Sequence, residues 1–124
     1  MRVLRGERMR SDQEGFDELA AALQFPAYFG GNWNAVTDCL RDLQWLPGAG
    51  YLVVITNAGQ LFSDTDVRAV ASFVTSLKAA AGWWRQPQAG PMAHAPTPFS
   101  VVAHVSGDAR NVKRRFESAG ARFH

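Results

Sequence analysis

An unbroken apolar run, Tyr51 to Ile55, constrains the fold of this chain more than any other feature. It is bounded by Gly50 and by an Asn-Ala-Gly turn. Such runs are typical of strands that are buried on both faces, as in a parallel sheet. Two further segments, over residues 1–10 and 99–105, are expected to form strands before and after it in the chain. In the first segment we expect three side chains to point inward: Val3, Leu4 and Met9.

Four segments with a helical spacing of apolar residues separate and follow these strands. They cover about residues 12–24, 33–44, 66–81 and 109–119. The order is strand, two helices, strand, helix, strand, which predicts an α/β fold with a small three-stranded parallel sheet and packed helices. The pattern is compatible with either a two-layer or a three-layer arrangement of the sheet and helices. The last helix is a C-terminal addition, and residues 121–124 could add an edge strand.

We predict a single domain over residues 1–124, with a Pro/Gly-rich loop at 82–98 and a C-terminal extension at 107–124. The loop holds four of the six prolines, which excludes a helix or a central strand there. Its length is typical of functional loops or insertions. Trp83 and Trp84 at its start either cover a hydrophobic edge or contact a partner.

The composition excludes several classes of protein. With one cysteine, the chain has no internal disulfide and no cysteine-rich zinc site, which fits a reducing compartment. No run approaches the roughly 20 apolar residues of a membrane span. The N-terminal residues are charged throughout and lack the apolar core of a signal peptide. We therefore expect a cytoplasmic protein without membrane contact.

The charge is unevenly distributed along the chain. Residues 11–66 contain eight acids and one base, whereas residues 67–124 contain eight bases and two acids. Opposite charge in the two halves indicates an acidic face for a basic partner, or else scattered solvated charge.

A tight aromatic turn leads into the second predicted helix. Gly30 and Gly31 permit unusual backbone angles, and Asn32 is a strong N-cap residue. The helix should end near Leu43 to Leu46, because Pro47 disfavours helical angles in the residue before it. Its apolar stripe is Trp33, Val36, Leu40 and Leu43, and its exposed side carries Asn34, Asp38 and Arg41 with Thr37 beside them.

The run Tyr28 to Leu40 resembles the inhibitory segment of the barstar family of intracellular ribonuclease inhibitors. The positions that fit the family pattern directly are Gly30, Asn32, Ala35, Asp38, Cys39 and Leu40. The resemblance covers about residues 1–106, and the order of strands and helices also agrees with it.

The resemblance implies a protein that binds a small basic ribonuclease, or a related toxin, one to one and occludes its active site. Such a protein would be an antitoxin or immunity protein, monomeric when free, with no enzymatic activity, cofactor or metal. Asp38 would take the place of a phosphate, since a carboxylate accepts paired hydrogen bonds from guanidinium groups. The partner-binding residues we predict are Tyr28, Gly30, Asn32, Trp33, Asn34, Thr37, Asp38 and Asp42.

Each of these residues also has a simpler interpretation. Asp38 could be an ordinary solvated acid, and Asn32 is a helix cap in either case. Tyr28 and Trp33 could be turn and core aromatics, and Cys39 is expected to be packed. The chain departs from the family pattern at Asn34, where the family has an acid, and at Thr37, where a large aromatic is common. Its isoelectric point near 9.1 also differs from that of barstar, so the target could be a different toxin.

The competing function is nucleic-acid binding. Arg110, Lys113, Arg114 and Arg115 lie on or near one predicted helix, and basic helices bind phosphate backbones. The alternative is a solvated helix face. Catalysis has little support, because His94, His104 and His124 show no paired-ligand spacing and no nucleophile motif.

Overall fold

A computed structural model describes residues 1–65, 67–90, 93–107 and 109–120. Within these described residues, three strands, four α-helices and two short 3₁₀ turns follow one another. Their order is β1 (Arg2–Arg5), a first 3₁₀ turn (Gly6–Arg8), α1 (Asp12–Leu23), α2 (Trp33–Asp42), β2 (Tyr51–Thr56), a second 3₁₀ turn (Ala58–Gln60), α3 (Val67–Arg85), β3 (Phe99–Ala103) and α4 (Arg110–Ser118).

The three strands form one sheet in the order β1-β2-β3, and both pairs are parallel. In its register, Leu4 lies beside Ile55, and Val53 lies beside Val101. This arrangement confirms the predicted α/β class, the small parallel sheet and the C-terminal helix.

Among the described residues, the helices cover only one face of the sheet. On that face Leu4, Val53 and Ile55 are at most 1% exposed. On the opposite face, Val3, Leu52 and Val102 are 40%, 38% and 52% exposed. The fold therefore has two layers, and the predictions that β2 is buried on both faces and that Val3 points inward are wrong. Branched side chains favour a pleated strand whether or not its second face is covered, so the apolar run alone did not distinguish the two cases.

The strand predicted over residues 1–10 is shorter than expected. It ends at Arg5, and the chain turns at Gly6, where an added Cβ would lie 2.2 Å from the carbonyl oxygen of Asn57. Only glycine permits this close approach of the two backbone segments. Leu4 and Met9 are fully buried, as predicted.

Helix α3 continues to Arg85, whereas the sequence predicted an end near residue 81. The indole Nε1 of Trp84 donates a 2.7 Å hydrogen bond to the carbonyl oxygen of Leu40, and the ring is buried. This packing outweighs the roughly 1 kcal/mol cost of Gly82 within the helix. Trp84 thus covers the core, and the predicted loop begins only after Arg85.

Helix α4 packs against α3 and the second 3₁₀ turn. Its buried side chains are Val112 and Phe116, and Gly120 follows it with a positive φ of 99°. These features confirm the predicted helix and its end at Gly120. The strand suggested for residues 121–124 lies outside the described residues.

The carboxylate of Glu18 is hydrogen-bonded to β1, which is an edge strand of the sheet. Glu18 of α1 is 6% exposed and accepts hydrogen bonds from the backbone N–H of Arg5 (2.9 Å) and from its guanidinium (2.8 Å). The hydrogen bond from Arg5 outweighs the desolvation of the carboxyl, so the pKa of Glu18 is lowered. The ionised form of Glu18 is therefore the one that stabilises the fold.

We expect Glu18→Gln to lower the midpoint of urea denaturation at pH 7. Because the folded-state pKa of Glu18 lies below its unfolded value, its contribution is complete above about pH 4.3 and disappears as the pH falls through the folded-state value. The difference between wild type and variant should therefore shrink below about pH 4. Glu117→Gln makes the same chemical change at an exposed position and should give a near-zero difference at pH 7. A Glu18 effect that persists at acidic pH would contradict this assignment.

Candidate functional site

Local sequence signals fix both ends of α2. The side-chain oxygen of Asn32 accepts a 2.8 Å hydrogen bond from the backbone N–H of Ala35, as an N-cap residue does. Gly31 before it has a positive φ of 68°, whereas Gly30 does not need this freedom. The helix ends at Leu43, which adopts a left-handed conformation and donates its N–H to Cys39. Both ends therefore agree with the predicted boundaries.

The inner side of α2 packs against α3. Val36, Cys39, Leu40 and Leu43 are at most 1% exposed. Burial, together with the charges of Asp42 and Asp38, raises the pKa of the Cys39 thiol to about 11. The thiol is therefore protonated and unreactive at neutral pH, in agreement with the prediction that it is packed.

The outer side of α2 presents Asn34 and Asp38 to solvent. These residues are four apart and lie one above the other on the helix. Within the described residues, neither side chain forms a hydrogen bond or an ion pair. Asp38 therefore offers both carboxylate oxygens to a partner from a helix that is capped and packed along its other side.

Tyr28 lies beside the C-terminal end of this surface. Its side chain is 61% exposed, and its hydroxyl donates a hydrogen bond to Oδ2 of Asp42. Its ring packs edge-on against Trp45 at 6.4 Å. The pKa of Tyr28 is raised, mainly by desolvation of the hydroxyl and next by its hydrogen bond to Asp42. The hydroxyl therefore stays protonated and remains a donor. Tyr28 thus fixes the orientation of the Asp42 carboxylate.

Two of the predicted partner-binding residues turn toward the interior and are only half-exposed. The indole of Trp33 packs against Phe16 at 4.9 Å and Phe62 at 5.7 Å, and its Nε1 donates to Asp12 at 3.0 Å. The hydroxyl of Thr37 lies 2.9 Å from that of the buried Ser76 and bonds to the carbonyl oxygen of Trp33. The structure thus assigns both side chains a packing role, and the surface they support consists of Tyr28, Gly30, Asn32, Asn34, Asp38 and Asp42.

A cleft of about 310 Å³, which was not predicted, lies next to the C-terminal end of α2. Arg41 and Asp42 line one side, and Trp84, His94 and Thr97 line the other. The loop reaches this position through an antiparallel bridge between Gln88 and His94, and the His94 ring lies 4.5 Å from that of Trp84. Pairing of this kind depends on the folded loop and has no signature in the residue pattern.

Three buried polar atoms at this cleft have no hydrogen-bond partner among the described residues. They are Nε of Arg41, Oδ1 of Asp42 and Nε2 of His94. An unsatisfied buried polar atom costs about 1–3 kcal/mol. Polar atoms of both the helix and the loop therefore converge on this cleft.

Within the described residues, no group of three histidine, cysteine, aspartate or glutamate side chains is placed to hold a metal ion. Across the same residues, none of the helices is long and apolar enough to span a membrane.

Comparison with known proteins adds one match. A search of curated proteins finds no relative of this chain. The family described as barstar, the barnase inhibitor, matches residues 1–104. That range includes α2, the loop and all three strands, and it stops before α4. Because the match spans most of the chain and the fold agrees with it, this protein belongs to the barstar family.

Proposed function

We propose that this protein is an inhibitor that binds a small basic ribonuclease one to one and covers its active site with the exposed side of α2. The main support is the presentation of Asp38, which is solvent-exposed on a rigid helix and has no partner among the described residues. Membership of the barstar family supports the same function. The protein acts by occupying the site and needs no catalytic group of its own.

The proposed mechanism is mimicry of a phosphate. A ribonuclease active site binds the phosphates of RNA through cationic side chains, and the Asp38 carboxylate would accept charge-assisted hydrogen bonds from the same groups. Asn34 adds a neutral donor and acceptor one turn away. Asp42, oriented by Tyr28, adds a second charge at the end of the helix.

The biological setting follows from this function. The protein would act in the cytoplasm as an antitoxin or immunity protein and protect the producing cell. The buried and unpaired Cys39 is compatible with that reducing compartment. We also expect the free protein to be a monomer and the complex to contain one copy of each chain, which light scattering can measure.

Titration of a panel of small basic ribonucleases, barnase included, tests the proposal directly. We expect at least one enzyme to lose activity linearly with added protein, up to an equivalence point at one inhibitor per enzyme. Loss of activity without a defined stoichiometry would instead indicate competition for RNA. If no enzyme on the panel is inhibited, the proposed target class is wrong.

Asn34→Asp should strengthen binding to the inhibited ribonuclease. It adds a second carboxylate four residues before Asp38, on the side of α2 that faces a cationic site. We expect an increase in affinity of up to about tenfold, mostly through faster association that declines with salt. Asn111→Asp is the matched control, because it makes the same change at an exposed position on α4. Equal effects from both variants would show that net charge matters and the α2 surface does not.

A further inference from the structure

Helix α4 lies beyond the part of the chain that the barstar family matches. The match ends at residue 104, and α4 spans Arg110–Ser118. Its nine residues contain four bases and one acid, Glu117. The helix therefore carries a strong positive charge that the family relationship does not explain.

The apolar side of α4 is fully used in packing. Val112 is 8% exposed and Phe116 is 5% exposed, and the helix contacts α3 and the second 3₁₀ turn. One of its bases also has a structural role, because Arg115 donates to the carbonyl oxygens of Leu61 at 2.7 Å and Gly59 at 3.4 Å. These contacts fix the orientation of α4 on the folded domain.

The remaining three bases form the outer face of the helix. Arg110, Lys113 and Arg114 are exposed and occupy positions separated by three and four residues. They border a shallow concavity that is also lined by Glu117 and Ser118. This side of the helix therefore carries three cationic side chains that are accessible to solvent.

The other exposed residues of α4 narrow the type of partner. They are Asn111, Glu117 and Ser118, so no aliphatic or aromatic side chain is exposed on this helix. A membrane-surface helix needs an exposed apolar face. A protein interface needs an apolar core around its aromatic and arginine anchors, and α4 exposes arginines without apolar neighbours on the helix. A partner bound through charge alone, such as a phosphate backbone, needs neither.

We propose that the exposed side of α4 binds the phosphodiester backbone of a nucleic acid. This binding is independent of the ribonuclease inhibition assigned to α2. With about three phosphates contacted and no stacking residue, the interaction is weak and insensitive to sequence. We expect a Kd of roughly 1–100 µM at physiological salt.

Fluorescence anisotropy with a short labelled single-stranded RNA, and with DNA of the same sequence, tests the proposal on the full-length protein. Three neutralised phosphates predict a slope of about −2 for log K against log salt. Equal affinity for RNA and DNA would show that α4 binds the phosphodiester backbone of either nucleic acid. Tighter binding of RNA would show that the RNA backbone is the ligand. Absence of binding at about 50 mM salt would overturn the proposal, as would equally tight binding of polyglutamate.

A triple substitution locates the surface. Arg110→Gln, Lys113→Gln and Arg114→Gln together should reduce the affinity at least tenfold at low salt and bring the salt slope close to zero. The control triple, Arg8→Gln, Arg10→Gln and Arg85→Gln, removes the same charge from exposed positions outside α4 and should reduce affinity less than threefold. Circular dichroism verifies that both variants fold. Equal losses in the two triples would overturn the assignment to α4.

Discussion

Asp38→Ala should weaken binding to the inhibited ribonuclease by about 2–5 kcal/mol. The Kd would then increase by a factor between about 30 and several thousand. The reason is that the partner's cationic groups would be buried in the complex without their carboxylate. This range is typical of removing one partner of a buried charge pair at an interface, and close charge pairs of barnase–barstar itself have coupling energies of about 1.5–7 kcal/mol. The stability of the free protein should change by less than about 0.5 kcal/mol, because Asp38 is exposed and unpaired within the described residues.

Two controls separate this effect from a general loss of charge. Asp17→Ala removes an exposed carboxylate of α1 whose only hydrogen bond among the described residues is with Gln13, at 2.9 Å. It should alter inhibition less than threefold. Asp38→Asn keeps the size and polarity of the side chain, so a loss close to that of Asp38→Ala would assign the effect to charge. Inhibition that is unchanged in Asp38→Ala would show that α2 is not the inhibitory surface.

Much of α2 could be predicted because its determinants are local. The Asn32 cap, the glycine with positive φ and the apolar stripe each act within a few residues of the chain. The exposure of Asn34 and Asp38 follows from the same periodicity. The parallel pairing of the strands followed from the alternation of strand and helix along the chain.

The features that were not predicted depend on contacts between distant segments. Thr37 lies on the boundary of the apolar stripe, and its inward orientation depends on Ser76, which is 39 residues away. The extra turn of α3 depends on the bond between Trp84 and Leu40 across the core. The open face of the sheet depends on where the helices pack, and the valines that occupy it are equally suited to a covered strand.

Phe73→Ala should have the largest effect on the stability of the fold. The side chain is fully buried, with its ring 5.5 Å from that of Phe62 and 6.1 Å from that of Trp33. Removing a buried phenylalanine costs about 3–5 kcal/mol, because apolar burial is lost and a cavity remains. Domains of this size are stabilised by about 5–15 kcal/mol, so the variant should retain a fold of greatly reduced stability. Urea denaturation followed by circular dichroism measures the difference.

The matched control is Val67→Ala, which shortens a side chain on the same helix that is 77% exposed. It should change the free energy of unfolding by less than about 0.5 kcal/mol. Phe73→Leu fills more of the cavity, so its loss of unfolding free energy should lie between those of Phe73→Ala and Val67→Ala. If Phe73→Ala proved as stable as the control, the aromatic cluster beneath α2 would not be the core described here.

The two substitutions together separate binding from folding at α2. Phe73 lies beneath the helix and does not reach the outer side, so its replacement should lower inhibition only in proportion to the unfolded fraction. Asp38→Ala should do the reverse, with a large loss of binding and a stable fold. If folded Phe73→Ala molecules bound the ribonuclease much more weakly than wild type, the packing of Trp33 on Phe73 would be needed to hold α2 in its binding geometry. The partner would then recognise a specific position of the helix as well as its charge.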